Sequence, residues 1–166
     1  MLPDTETITT RQADLDDSAD QQAIVELLDM YAREPTGQNG PLSPRIRRDV
    51  IPGLQNHPTT LVFLALDQSR PVGLAVCFRG FSTFQARPLL NIHDFAVHPD
   101  YRGRGVGFAL MQTVEREARK TACCKLTLEV RADNLSARNL YLRAGFSPSE
   151  ESSVEHSFWT KALSSV

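Results

Sequence analysis

Residues 92–108 read IHDFAVHPDYRGRGVGF, and the rest of the chain is organised around them. The first part is strand-like: Ile92, Phe95 and Val97 are β-branched or aromatic, and Pro99 stops the run. The second part sets Gly103, Gly105 and Gly107 at alternate positions, with Arg102 and Arg104 beside them. An amphipathic helix follows, with Val106, Leu110, Val114 and Ala118 at helical spacing. Strand, glycine turn and helix together make a phosphate site. Glycine lets the backbone approach an anion, the N–H groups of the first helical turn point at it, and the helix dipole favours negative charge. The bland reading is a tight turn with two solvated arginines.

Two other glycine motifs do not fit. No Gly-x-x-x-x-Gly-Lys-Ser/Thr string exists in the chain. A dinucleotide fingerprint counted from Gly103 would need glycine where Phe108 stands, and the acidic residue expected about 20 positions on is hard to place in TACCKLTLE. What remains is Arg-x-x-Gly-x-Gly.

The 166 residues predict one domain, 1–166, with enough chain to bury a sizeable core. A net charge of −2 gives no electrostatic reason to expect nucleic acid or an anionic membrane as partner. No apolar run approaches the length of a membrane span, and MLPDTETITT lacks the basic and apolar regions of a signal peptide. Cys77, Cys123 and Cys124 suit neither a disulfide framework nor a zinc site, so no metal is expected and the cytoplasm is the default compartment. The assembly state is left open, a homodimer included.

Along the chain, Thr7 to Arg11 is a strand candidate. A helix is expected from about Ala19 to Arg33, with Asp17, Ser18 or Asp20 as cap and Pro35 behind it. The Gly- and Pro-rich loop from Glu34 to Leu42 leads to Ser43-Pro44, a cap and first-turn proline for a second helix that should stop near Pro52-Gly53. Helix, flexible loop and helix form a candidate substrate lid or an ordinary connection. Thr60 to Leu66 and Val72 to Arg79 should pair as an antiparallel hairpin. Gly80 to Pro88 reads as a loop, Leu89 to His98 as a strand, and Lys125 to Arg131 as a strand with Leu126, Leu128 and Val130 on one face. Asn134 can cap a last helix that Gly145 closes, and Ser153 to Leu163 reads as a strand bringing Phe158 and Trp159 to the core. The expected class is α/β: a mixed, mainly antiparallel sheet of about six to seven strands with helices on both faces.

A second pattern lies in DNLSARNLYLRAGF, residues 133–146, where Asn134, Ala137, Tyr141, Gly145 and Phe146 match Asn-x-x-Ala-x-x-x-Tyr-x-x-x-Gly-Phe. With the glycine turn and the element order, this resembles the GNAT superfamily of acyl-CoA-dependent N-acetyltransferases. Ser82-Thr83-Phe84, IHDFAV and YRGRGVG are similar to its spermidine/spermine and thialysine branch. That branch typically has Leu-Glu-Asp where this chain has Ile92-His93-Asp94, so its glutamate, associated there with base catalysis, falls on His93.

The resemblance implies acetyl transfer from acetyl-CoA to a primary amine, by direct transfer. It assigns the pyrophosphate to Arg102, Gly103, Arg104, Gly105, Val106, Gly107 and Phe108, and the pantetheine arm to the backbone of Phe95, Ala96 and Val97, with Asn134 as a further contact. The amine must be neutral to attack, and an alkylamine has a pKa of about 10.4, so a base is needed. An imidazole, ordinarily near pKa 6.5, suits His93; Asp94 is the rival. Alternation puts the two on opposite faces unless a bulge intervenes. Tyr141 holds the family's general-acid position, with a purely packing tyrosine as the other reading. A small-molecule amine is favoured over a long polycation, because Arg45, Arg47 and Arg48 crowd the helix expected to border the site. The alternatives are acetylation of protein N-termini or lysines, and an acyl-CoA-binding module without catalysis.

Overall fold

The computed structural model describes residues 8–148 and 156–163. The strands are β1 (Ile8–Gln12), β2 (Thr60–Asp67), β3 (Arg70–Ser82), β4 (Arg87–Val97), β5 (Lys125–Arg131), β6 (Ser147–Pro148) and β7 (His156–Ala162). The helices are α1 (Ser18–Ala32), α2 (Pro44–Asn56), α3 (Val106–Lys120) and α4 (Leu135–Arg143). The seven strands run in the order β1-β2-β3-β4-β5-β7-β6; β4 and β5 are parallel and all other pairs antiparallel. The expected mixed sheet is thus observed.

Alternation along β2 and β3 sorts the core into two layers. Val62, Leu64, Leu74 and Val76 pack with Ile24 and Leu27 of α1 and Ile51 and Leu54 of α2. On the other face Phe63, Ala75, Cys77, Leu90 and Ile92 pack with Leu110, Met111 and Val114 of α3 and Tyr141 of α4. Leu64, Leu74, Leu90 and Leu110 are fully buried. Each such side chain stabilises the fold by roughly 1.5–3 kcal/mol relative to exposure.

Local signals account for most helix ends. Asp17 caps α1, its side chain accepting the Asp20 N–H at 3.0 Å, and Ser43 caps α2 ahead of Pro44. Asn134 caps α4 through the Ala137 N–H at 3.2 Å, and Gly145 follows α4 with φ 88°.

The structure corrects three expectations. Helix α2 passes through Pro52-Gly53 to Asn56. Pro52 and the preceding turn at Arg48 are exposed, so water can serve the orphaned carbonyl, while Ile51 and Leu54 keep the helix seated on the core. The loop expected over residues 80–88 is mostly strand: Gly80, Phe81 and Ser82 pair with Leu89, Pro88 and Arg87, leaving a short turn at the tip. Polar and glycine content there marks exposure rather than loss of pairing. In β7, Trp159 is 1% exposed but Phe158 is 41% exposed, because neighbours on a strand face opposite ways. Thr7 and residues 153–155, expected in strands, lie outside the described residues.

Candidate functional site

The glycine turn is built by backbone conformation. Gly103 and Gly105 have φ of 73° and 81°, the left-handed region that side chains disfavour. A Cβ at either would meet nothing within 4 Å, so φ and not crowding reserves these positions for glycine. Gly107 is the opposite case: a Cβ there would lie 3.0 Å from Leu140 Cδ2 and 3.5 Å from Val97 Cγ2, so glycine is what lets α3 approach β4 and α4. The first helical bond of α3 runs from Ala109 N–H to Gly105 O at 2.9 Å. The N–H groups of Val106, Gly107 and Phe108 precede that bond and have no acceptor within the helix.

Beside this turn the sheet comes apart. Strands β4 and β5 pair only over Leu90–Leu126, Asn91–Thr127 and Ile92–Leu128. Beyond that, β4 runs on to Val97 and β5 to Arg131 with no ladder between them. A cleft of about 1080 Å³ fills the gap, lined on one side by Phe95, Ala96 and Val97 and on the other by Leu128 to Arg131. Backbone groups on these facing edges are open to an amide chain laid between them as an extra strand.

At the point of divergence β4 carries a bulge. Val76 pairs with Asp94 and Cys77 with Ile92, which leaves His93 as the extra residue. Val76 belongs to the layer under α1 and α2, so Asp94 opposite it shares that face. The His93 ring lies 5.5 Å from the ring of Phe78, which packs on the same layer. The bulge therefore puts both candidate bases on one face, where strict alternation would separate them. They are not equivalent: His93 is exposed and lines the cleft, whereas Asp94 is half-buried and is not among the lining residues. Burial holds the Asp94 carboxyl above the usual carboxylate range, with His93 pulling the other way.

Tyr141 projects from α4 into the same cleft and is 6% exposed. Its ring is held edge-on by Phe95 at 6.1 Å and Trp159 at 6.5 Å, and tilted against Phe146 at 5.9 Å. Burial, with a smaller push from Tyr31, raises its hydroxyl well above the ordinary phenol value. It therefore carries a proton at neutral pH.

Of the residues expected to touch a cofactor, Phe95, Ala96, Val97, Arg102, Gly103, Gly105, Gly107, Phe108, Asn134 and Tyr141 all line the cleft. Arg104 and Val106 do not. The Arg104 guanidinium sits 5.6 Å over the Tyr101 ring, and Val106 is buried in the core. Ser82, Thr83 and Phe84, which carry part of the branch resemblance, are at the tip of the β3–β4 hairpin and outside the cleft lining.

The loop between α1 and α2 contributes residues that the motifs did not single out. Glu34, Thr36 and Gly37 line the cleft, as does Tyr31 at the end of α1, whose hydroxyl donates to Thr36 O at 3.4 Å. Burial and the charges of Asp94 and Glu34 raise the Tyr31 hydroxyl, against Arg131. The loop is tied down rather than slack: buried Asp29 accepts the Leu42 N–H at 2.9 Å and pairs with Arg33 and Arg47 at 2.9 and 3.0 Å. The Gly- and Pro-rich composition was the available signal for this wall. Glu129 and Arg131, also lining, stand on the polar side of the β5 alternation. No residue of α2 lines the cleft, which corrects the placement of Arg45, Arg47 and Arg48: Arg47 pairs with Asp29 and Arg48 with Asp49. Their charge supplies no argument against a polycationic acceptor.

The sequence profile described as the acetyltransferase (GNAT) family matches residues 24–146, well over half of the chain. The chain belongs to the GNAT acetyltransferase family. An uncharacterized N-acetyltransferase of Methanocaldococcus jannaschii is 34% identical over 89 residues, covering 53% of this chain and 39% of that relative. Thialysine N-epsilon-acetyltransferase of Bos taurus is 31% identical over 87 residues, covering 52% of this chain and 51% of that enzyme. The chain thus matches about half or less of the length of these curated relatives. Among solved structures, the NatC complex bound to Gag peptide and CoA contains a chain of the same fold, with a TM-score of 0.71 at 21% identity over 95% of this chain and 99% of that one.

Proposed function

We propose that this GNAT chain is an N-acetyltransferase that moves an acetyl group from acetyl-CoA to a primary amine, a small molecule, by direct transfer. The observation that carries the reading is the separation of β4 from β5 after Ile92–Leu128, which joins the phosphate-type turn to Tyr141 through one continuous cleft. The residues present suit acetyl-CoA. The open turn at Gly103 and Gly105 and the free N–H groups of α3 fit a diphosphate, and the separated strand edges fit an amide arm.

Acetyl-CoA supplies the acyl group when bound; the chain supplies position and protons. The 102–107 turn would hold the diphosphate and the Phe95–Val97 edge the amide arm, which would direct the acyl end toward the bulge. His93 accepts the proton that the amine loses, directly or through a water, because it alone of the two bases lines the cleft. Tyr141 donates its hydroxyl proton to the departing sulfur, and its raised pKa keeps that proton available. Tyr141 lines the cleft as well as packing in the core, which weighs against a module without catalysis.

The acceptor class rests on the resemblance to the thialysine branch. The test is a mass-spectrometric screen of acetyl-CoA with a panel of small amines, free lysine analogues and peptides bearing free N-termini. Acetylation of small amines at the highest kcat/KM supports the reading. A preference for peptides would reassign the acceptor, and no acetylated product from any of the panel would remove the enzymatic reading.

A further inference from the structure

The two loops that flank the mouth of the cleft meet through one ion pair. Arg102 opens the glycine turn; its Nε donates to Val97 O at 2.9 Å and its Nη2 to the Glu34 carboxylate. Both residues line the cleft, with side chains 43% and 22% exposed. Glu34 is presented by ordered backbone. Its N–H donates to Tyr31 O at 3.0 Å, and its carbonyl accepts from Gly37 and Asn39 at 2.9 and 3.2 Å. A carboxylate held against the arginine of an anion-binding turn occupies the place an anion would take.

We propose that Glu34 competes with the cofactor's diphosphate for Arg102, so that cofactor entry exchanges one anionic partner of the guanidinium for another. The inference rests on the acetyl-CoA reading above and adds to it a residue that sets cofactor affinity without belonging to the glycine motif. With Glu34 in place the charge of Arg102 is offset, and Arg104 is directed over Tyr101. The turn then offers chiefly its backbone N–H groups. Removing the Glu34 charge makes the wall more positive by one unit and releases the guanidinium. The rival role, in which Glu34 merely aims Arg102 at the phosphates and keeps its bond throughout, predicts the opposite sign: loss of the carboxylate would then weaken binding.

The experiment is calorimetric titration of coenzyme A into wild type, E34Q, R102A and the double variant. E34Q should tighten coenzyme A roughly two- to five-fold, the range expected from an exposed ion pair. The gain should shrink as salt is raised. In the R102A background the same substitution should gain clearly less, because no guanidinium remains to be released and only the general change of charge is left. A weaker or unchanged affinity in E34Q overturns the proposal, and so does an equal gain in both backgrounds, which would mark a general effect of the loop. Failure of wild type to bind coenzyme A at all overturns the acetyl-CoA reading itself and is recognised by the wild-type titration alone.

Discussion

The two halves of β4 belong to one strand and face different surroundings. From Leu90 to Ile92 it has a neighbour on each side, β3 and β5, and Leu90 and Ile92 are buried at 0% and 3% exposure. From His93 to Val97 it keeps only β3, and its other edge opens on the cleft. The first half spends its hydrogen-bonding groups on the ladder and its side chains on the core. The second leaves the backbone groups of one edge open to a ligand, and the change comes within one residue. The proposed chemistry starts where the ladder ends, so stability and activity should separate along this strand.

The largest effect should fall on the paired half. Leu90→Ala should cost about 2–5 kcal/mol of stability, read by chemical denaturation, since it empties a fully buried site in the core layer shared with α3. Next is Tyr141→Phe, across the cleft from the open half. It should lower kcat by roughly 10²-fold with little change in melting temperature or coenzyme A affinity. Wild-type turnover would reduce Tyr141 to packing. Gly105→Ala forces a side chain to φ 81° and should cost about 1–2 kcal/mol of stability together with cofactor affinity. His93→Ala should leave stability within about 0.5 kcal/mol, because the residue is exposed, yet remove the acidic limb of the kcat/KM profile. The profile should be repeated with an acceptor of lower pKa, since a limb that moves with the acceptor and survives in His93→Ala belongs to the amine.

The smallest effect concerns Asp94. Burial raises its carboxyl above the unfolded value, so the folded state prefers the protonated form. Its stability contribution is fully present below the unfolded carboxylate pKa, about 3.9, and is lost as pH rises through the higher folded value. Asp94→Asn should therefore be more stable than wild type at neutral pH, and the difference should close on acidification. It should keep the acidic limb that His93→Ala loses.

What could be read in advance follows from the range of the interactions. Caps, the glycine turn and the 125–131 strand depend on neighbours a few residues away, and Asp17, Ser43, Asn134 and Gly145 act where local chemistry places them. Tyr141 and the glycine turn were legible because each sits in a contiguous pattern. The role of Glu34 was not: it meets Arg102 across 68 positions, and nothing local to either residue announces the other. The bulge was open for a similar reason, since His93 and Asp94 look like ordinary strand residues until the register with Val76 and Cys77 is known. Pro52 misled because its cost depends on whether the orphaned carbonyl faces water, which only packing decides.

The bulge also determines which kinds of change the strand can absorb. Upstream of it the even-numbered Leu90 and Ile92 enter the layer beneath α3; downstream the odd-numbered Phe95 and Val97 do. His93 is the one-residue offset between these two frames. Substituting it leaves the frame intact and changes only a side chain. Deleting it would close the bulge: Ile92 opposite Cys77 and Asp94 opposite Val76 already alternate in face, so Phe95 and Val97 would keep their pairing while the strand lost its bend and its imidazole. A chain one residue shorter at this point would thus keep its sheet register and carry no imidazole in the cleft.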